Sequence, residues 1–97
     1  MMIINRTPEF KRNYKKLKKK HYDMAQLRHV IELIVNHQTK KLIQEHHDHQ
    51  LKGQLREFRS AHIRKANDNW VLVYRIHEDK LEILDLIRTG NHDQAYH

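Results

Sequence analysis

The stretch Trp70-Val71-Leu72-Val73-Tyr74-Arg75-Ile76 constrains the fold more than any other part of the chain. It is almost continuously β-branched or aromatic and contains neither proline nor glycine, which marks a central strand covered on both faces. A second apolar run, Leu81–Ile87, follows a polar connector, His77–Lys80, that is short enough for a β-hairpin. A weaker strand is expected upstream over Leu55–Ile63, with Phe58, Ser60 and His62 on one face and Arg59, Ala61 and Ile63 on the other. Thr89-Gly90-Asn91 reads as a turn before a short tail, and residues 40–54 read as polar and irregular, with Gly53 at a turn.

The period changes in the N-terminal half. After a short edge strand at Ile3-Ile4, Thr7-Pro8-Glu9 carries a helix start: a hydroxyl N-cap, proline at the first helical position and an acid near the positive end. Phe10, Tyr14, Leu17 and His21 then recur at helical spacing and form one stripe on a cationic helix. Asp23 with Gln26 resembles a capping box opening a second helix, whose buried stripe is expected to be Met24, Leu27, Ile31, Ile34 and Val35, ending over Asn36–Lys40. The expected fold is α+β, in the order β-α-α-β-β-β, with two helices near residues 8–21 and 23–37 packed on one face of a small, mainly antiparallel sheet. With 97 residues the chain reads as one domain over residues 1–97.

Charge is concentrated at one end. Residues 1–20 hold eight basic side chains (Arg6, Lys11, Arg12, Lys15, Lys16, Lys18, Lys19 and Lys20) against the single acid Glu9, while the other 77 residues balance 11 basic against 11 acidic groups. The net +7 therefore belongs to one N-terminal element, the electrostatic footprint expected for a polyanionic partner; the alternative is a solvated helix face. The absence of cysteine removes disulfides and thiolate metal sites, and the N-terminus lacks the apolar core of a signal peptide. The chain reads as intracellular, soluble and cytoplasmic, with no membrane partner.

Ten histidines, at positions 21, 29, 37, 46, 47, 49, 62, 77, 92 and 97, carry the chemical potential of the sequence. Histidine is the side chain whose ordinary pKa lets it both give and take protons near neutrality. RNA cleavage needs a base for the ribose 2′-hydroxyl, an acid for the leaving 5′-oxygen and a cation for the charge on the phosphate. His49, His62 and His92 stand where the expected fold can gather them. His21, His29 and His37 accompany the helices, His77 falls in the hairpin connector and His97 is terminal. The cluster His46-His47-Asp48-His49 is a weak metal signal without a second ligand pair, and no metal centre is expected.

Four segments, His49-Gln50-Leu51-Lys52-Gly53, Phe58-Arg59-Ser60-Ala61-His62-Ile63, Trp70–Ile76 and Arg88-Thr89-Gly90-Asn91-His92, together resemble the YafQ branch of the RelE/ParE toxins, the toxin halves of bacterial type II toxin–antitoxin systems. The resemblance spans essentially the whole chain. It implies an endoribonuclease that cleaves messenger RNA in the ribosomal A site, with His49, His62 and His92 on the branch's active-site histidines. It also implies a phosphate contact for Arg88 and an aromatic role for Tyr96. The branch has an aspartate directly before the tryptophan; here Asn69 precedes Trp70 and Asp68 lies one position earlier, making Asp68 the expected equivalent.

On this reading His62 and His92 transfer protons, His49 and Asp68 orient or assist, and Arg88 and Arg59 stabilise the phosphate. Lys52, Tyr96 and the helix lysines Lys15, Lys16, Lys18 and Lys19 are expected to contact RNA. No cofactor is implied, because the nucleophile is the substrate's own hydroxyl. The expected partners are a cognate antitoxin, in a heterotetramer of two chains each, the ribosome and messenger RNA. Two other readings are a ParE-like toxin that inhibits gyrase without hydrolysis and a non-catalytic RNA-binding module. The cluster of titratable groups at positions 49, 62, 68 and 92 argues for catalysis.

Overall fold

The run Trp70–Ile76 takes the central place that its composition demands. In a computed structural model describing residues 2–65, 69–78 and 82–91, it belongs to β4 (Trp70–Glu78), the middle strand of a five-stranded sheet. The chain runs β1 (Met2–Arg6), α1 (Pro8–Lys19), α2 (Met24–Val35), α3 (Thr39–His46), β2 (His49–Gln50), β3 (Arg59–His62), β4 and β5 (Glu82–Asn91). The spatial order is β1-β5-β4-β3-β2, with β1 parallel to β5 and the remaining pairs antiparallel. The fold is the expected α+β class, and the edge strand joins the sheet.

Side-chain alternation divides the sheet into two faces. Trp70, Leu72, Tyr74, Ala61, Ile63, Leu84 and Leu86 pack with the buried helix residues, including Phe10, Leu17, Leu27, Val30 and Ile34, in the main core. Val71 and Val73 face the other way, where Leu51, Phe58 and Ile87 cover them. Strand pairing places Ser60 opposite Val73 and His62 opposite Val71, so both belong to this second face.

The first two helices start as their sequences specify. The Thr7 side chain accepts from the Phe10 amide at 3.1 Å, and Asp23 accepts from the Ala25 amide at 3.1 Å and from the Gln26 side chain at 3.2 Å. Their ends are less conventional. His21 (φ 65°) and His37 (φ 55°) adopt left-handed backbone where glycine is usual. His21 N–H bonds to Lys18 O and Tyr22 N–H to Leu17 O; His37 N–H bonds to Ile34 O and Gln38 N–H to Leu33 O. Both are the paired closing bonds of a helix C-terminus, so these histidines end helices rather than line them.

Several boundaries differ from expectation. α1 stops at Lys19, and His21 is exposed instead of completing the stripe. Within α2 the buried positions are Met24, Leu27, Val30, Leu33 and Ile34, while Ile31 and Val35 are half-buried; apolar residues surround most of this helix, so the pattern left its rotation open. Part of the supposedly irregular 40–54 segment is α3, built from good helix formers around two inward residues, Leu42 and His46. The strand expected over Leu55–Ile63 shrinks to Arg59–His62 behind a single 3₁₀ turn at Gly53–Leu55. Conversely, Thr89-Gly90-Asn91 is no turn: these residues extend β5 opposite Leu72, Val71 and Trp70. The Trp70 indole donates to Thr89 Oγ1 at 3.0 Å and Thr89 Oγ1 donates to Val71 O at 2.9 Å, tertiary bonds that hold the segment extended.

Candidate active site

The second face of the sheet ends in a cluster of imidazoles at the β2–β3 edge. α3 terminates at His47, which has left-handed backbone (φ 48°) and turns the chain towards β2. The turn brings His47 beside both histidines that follow. Ring centroids lie 4.8 Å apart for His47–His49, 5.4 Å for His47–His62 and 6.5 Å for His49–His62. Two of the three sequence-predicted histidines therefore meet, with His47 between them.

Hydrogen bonds fix the orientation of two rings near this point. His49 Nδ1 lies 2.8 Å from the His47 carbonyl. A carbonyl only accepts, so Nδ1 carries the proton and neutral His49 presents Nε2 as its basic atom. His46, buried beneath the cluster, donates from Nδ1 to the His62 carbonyl at 2.8 Å and tethers the end of β3. The His29 ring stands 6.3 Å behind it.

Between His47 and His49 the chain turns inward. Asp48 is buried and accepts a hydrogen bond from the Tyr74 hydroxyl on its Oδ2, while Arg59 Nε donates to its Oδ1 at 2.9 Å. Burial works against the Arg59 charge, but the Asp48 carboxylate outweighs it and raises the guanidinium pKa. Burial first, and then the same carboxylate, push the Tyr74 phenol up, keeping it a protonated donor. Arg59 is thus engaged through Nε with Asp48 and helps secure the segment that displays His47 and His49.

The remaining predicted residues are spread around this cluster. On β5 the register slips by one residue: Leu86 pairs with Tyr74, Arg88 with Val73, and Ile87 is the extra residue of a bulge. Arg88 therefore shares a rung with Ser60, two strands away and about 10 Å across. Its guanidinium reaches Glu9 of α1 at 3.5 Å. Lys52 is exposed at the start of the 3₁₀ turn, and Lys15, Lys16, Lys18 and Lys19 are exposed on α1. Asp68, His92 and Tyr96 lie outside the described residues. The strand leading to His92 ends with Asn91 opposite Trp70, whose carbonyl accepts from Ile63 N–H at 2.9 Å. This is the same end of the sheet as His62.

Sequence reasoning passed over His46, His47 and the Asp48 anchor. The available signal was the run His46-His47-Asp48-His49, whose meaning depends on a helix ending within it. Among the described residues, no group of three or more His, Cys, Asp or Glu side chains is placed to hold a metal ion.

Three helices on one face of a five-stranded mixed sheet, with a cationic first helix and a histidine cluster at the sheet's far edge, give a RelE-like fold, and a family match and a curated relative make the class that of the RelE-like toxins. A model of the YafQ family, bacterial toxins of type II toxin–antitoxin systems, matches residues 2–97, and the chain belongs to that family. The mRNA interferase toxin YafQ of Escherichia coli K12 is 33% identical over 89 residues, covering 92% of this chain and 89% of that protein. The crystal structure of YafQ from Escherichia coli BL21(DE3) shares the fold with a TM-score of 0.83 at 24% identity, covering 100% of both chains. YafQ in the crystal structure of the Escherichia coli DinJ–YafQ complex aligns with a TM-score of 0.80 at 28% identity, again over 100% of both chains.

Proposed function

We propose that this toxin is an endoribonuclease that cleaves messenger RNA in the ribosomal A site by histidine acid–base catalysis. The observation that carries this reading is the packing of His47, His49 and His62 into one imidazole cluster, with Nε2 of neutral His49 left as the basic atom. One imidazole removes the 2′-hydroxyl proton, the oxygen attacks the adjacent phosphorus, and a second protonates the departing 5′-oxygen. His62 and His92 are the proton-transfer pair in this scheme, with His49 and Asp68 assisting. Arg88 stabilises the phosphate, Arg59 supports it from its pairing with Asp48, and Lys52 and Tyr96 contact the RNA strand. The helix lysines Lys15, Lys16, Lys18 and Lys19 hold ribosomal RNA. The substrate's own hydroxyl is the nucleophile, so these roles call on no cofactor.

The mRNA interferase name of the Escherichia coli relative and the DinJ–YafQ complex support the same reading. The toxin works in the cytoplasm and is neutralised by a cognate antitoxin in a heterotetramer. No helix among the described residues is long and apolar enough to cross a membrane. The test is primer extension on translating messenger RNA with the wild-type chain, His62→Ala and His92→Ala. Each substitution is expected to lower the single-turnover cleavage rate about 10²–10⁴-fold while ribosome binding and thermal melting persist. Near-normal cleavage by a folded His62→Ala variant would remove the cluster from the chemistry. Inhibition of DNA supercoiling without RNA cleavage would replace the proposal with the gyrase reading.

A further inference from the structure

A polar concavity lies away from the imidazole cluster, between α1 and the end of β5. Asn13, Lys16 and Lys20 enter it from α1 and its C-cap, Tyr22 from the following turn, and Arg88 and Asn91 from β5, around a space of about 280 Å³. Positions 13, 16 and 20 share one helix face, and the Asn13 side chain ties that face to the strand by accepting from the Thr89 amide at 3.1 Å. Three cations line the cleft against one carboxylate, Glu9, which sits 3.5 Å from Arg88. Tyr22 is half-buried and held edge-on against Trp70, with ring centroids 5.0 Å apart and planes at 88°. Arg64 lies over both rings, 5.9 Å from the Tyr22 centroid and 5.8 Å from that of Trp70.

We propose that this cleft is a nucleotide subsite that receives a residue of the RNA strand flanking the scissile phosphate. A surface for simple anions needs only the cations. The fixed Tyr22 ring and the Asn13 amide nitrogen, whose partner oxygen holds the Thr89 amide, add what a base recognises: an aromatic surface and a hydrogen-bond donor. Its location fits the same strand. Asn91 at its rim pairs with Trp70, which bonds to Ile63 directly after His62, so the cleft and the imidazole cluster share one end of the sheet. Arg88 lines the cleft and shares a rung with Ser60 on the strand that carries His62. The inference rests on the RNA-cleaving reading and adds a source of sequence-context preference to it.

The test is amide chemical-shift titration of the full chain with each of the four ribonucleoside 5′-monophosphates and, separately, with inorganic phosphate. Wild type is compared with Lys20→Glu, and cleavage of a reporter messenger RNA is assayed in parallel. The expected result is shifts at Asn13, Lys20, Tyr22 and Asn91, with nucleotides binding about tenfold or more tighter than phosphate, the increment one stacked base supplies. Lys20→Glu should weaken nucleotide binding and raise KM for the reporter or alter its preferred cut positions, with kcat at saturation retained. Equal affinity for inorganic phosphate would overturn the subsite, as would shifts confined to His47, His49 and His62 while cleavage proceeds normally. Nucleotide binding in the cleft without any cleavage by wild type would keep the subsite and refute the nuclease reading.

Discussion

Truncating Asp48 to alanine removes the carboxylate on which the Tyr74 hydroxyl and Arg59 Nε converge. The consequences for the two partners differ. Tyr74 is 2% exposed, so its hydroxyl loses its acceptor inside the core, at a cost of about 1–3 kcal/mol. The Arg59 side chain is 36% exposed and can turn to water, which limits the loss from the ion pair to less than about 1 kcal/mol. The sum is about 1–4 kcal/mol, a fall of roughly 4–30 °C in Tm for a domain of this size. Tyr74→Phe removes one of the same bonds and should cost about 1.5–3 kcal/mol. Because both changes break the same hydrogen bond, the double variant should fall short of additivity by about 1 kcal/mol or more. Urea unfolding of the four proteins measures each midpoint, with an unchanged slope as the control for two-state behaviour. Cleavage by Asp48→Ala, assayed well below its Tm, should also fall, since the loop carrying His47 and His49 has lost its anchor. Additivity within about 0.5 kcal/mol would refute the argument by showing that the Asp48–Tyr74 bond contributes nothing net.

Three further outcomes are expected. Burial opposes ionisation of Asp85, but hydrogen bonds from Arg75 and Asn5 and the charges of His77 and Arg75 override it and hold its carboxyl below the usual range. Its stabilising contribution is therefore complete above the unfolded value of about 3.9 and lost as pH falls through the lower folded value; Asp85→Asn should flatten the acid limb of urea midpoints measured from about pH 2 to 7, and an unchanged limb would discount the network. Replacing His21 (φ 65°) by glycine should stabilise the fold by about 1 kcal/mol, read from the same midpoints, because an L side chain is strained in left-handed backbone; a destabilised variant would mean the His21 ring contributes more than its strain costs. Neutralising Lys15, Lys16, Lys18 and Lys19 to glutamine should leave melting unchanged but flatten the plot of log affinity for ribosomes against log salt by up to about 3, whereas an unchanged slope would return the lysines to the role of a solvated face.

How much of the molecule was legible in the sequence varied with the range of the interactions involved. The Thr7 and Asp23 caps form bonds within three residues, so both helix starts could be read directly. α3 could not: it has few apolar residues, and its Gln38 N-cap makes no side-chain bond, so its stability comes from seating Leu42 and His46 in the core. Thr89-Gly90-Asn91 has turn-forming composition, yet β4 and the Trp70 and Val71 contacts hold it extended. The site divides the same way. His49 and His62 were singled out by residue type and motif spacing, whereas His47 enters only because α3 ends there in left-handed backbone.

The sequence by itself determined the periodicities, the helix caps, the central strand and the placing of all excess charge on the first twenty residues. Each of these follows from the chemistry of near neighbours along the chain. The tertiary structure decided that His47 and His49 meet His62 and which way Asp48 faces. It also decided that Arg59 pairs with a buried carboxylate and that Arg88 lands on the rung of Ser60. These features depend on register across strands, on a one-residue bulge and on burial. All three come from contacts between segments far apart in sequence, whose energies no local pattern encodes.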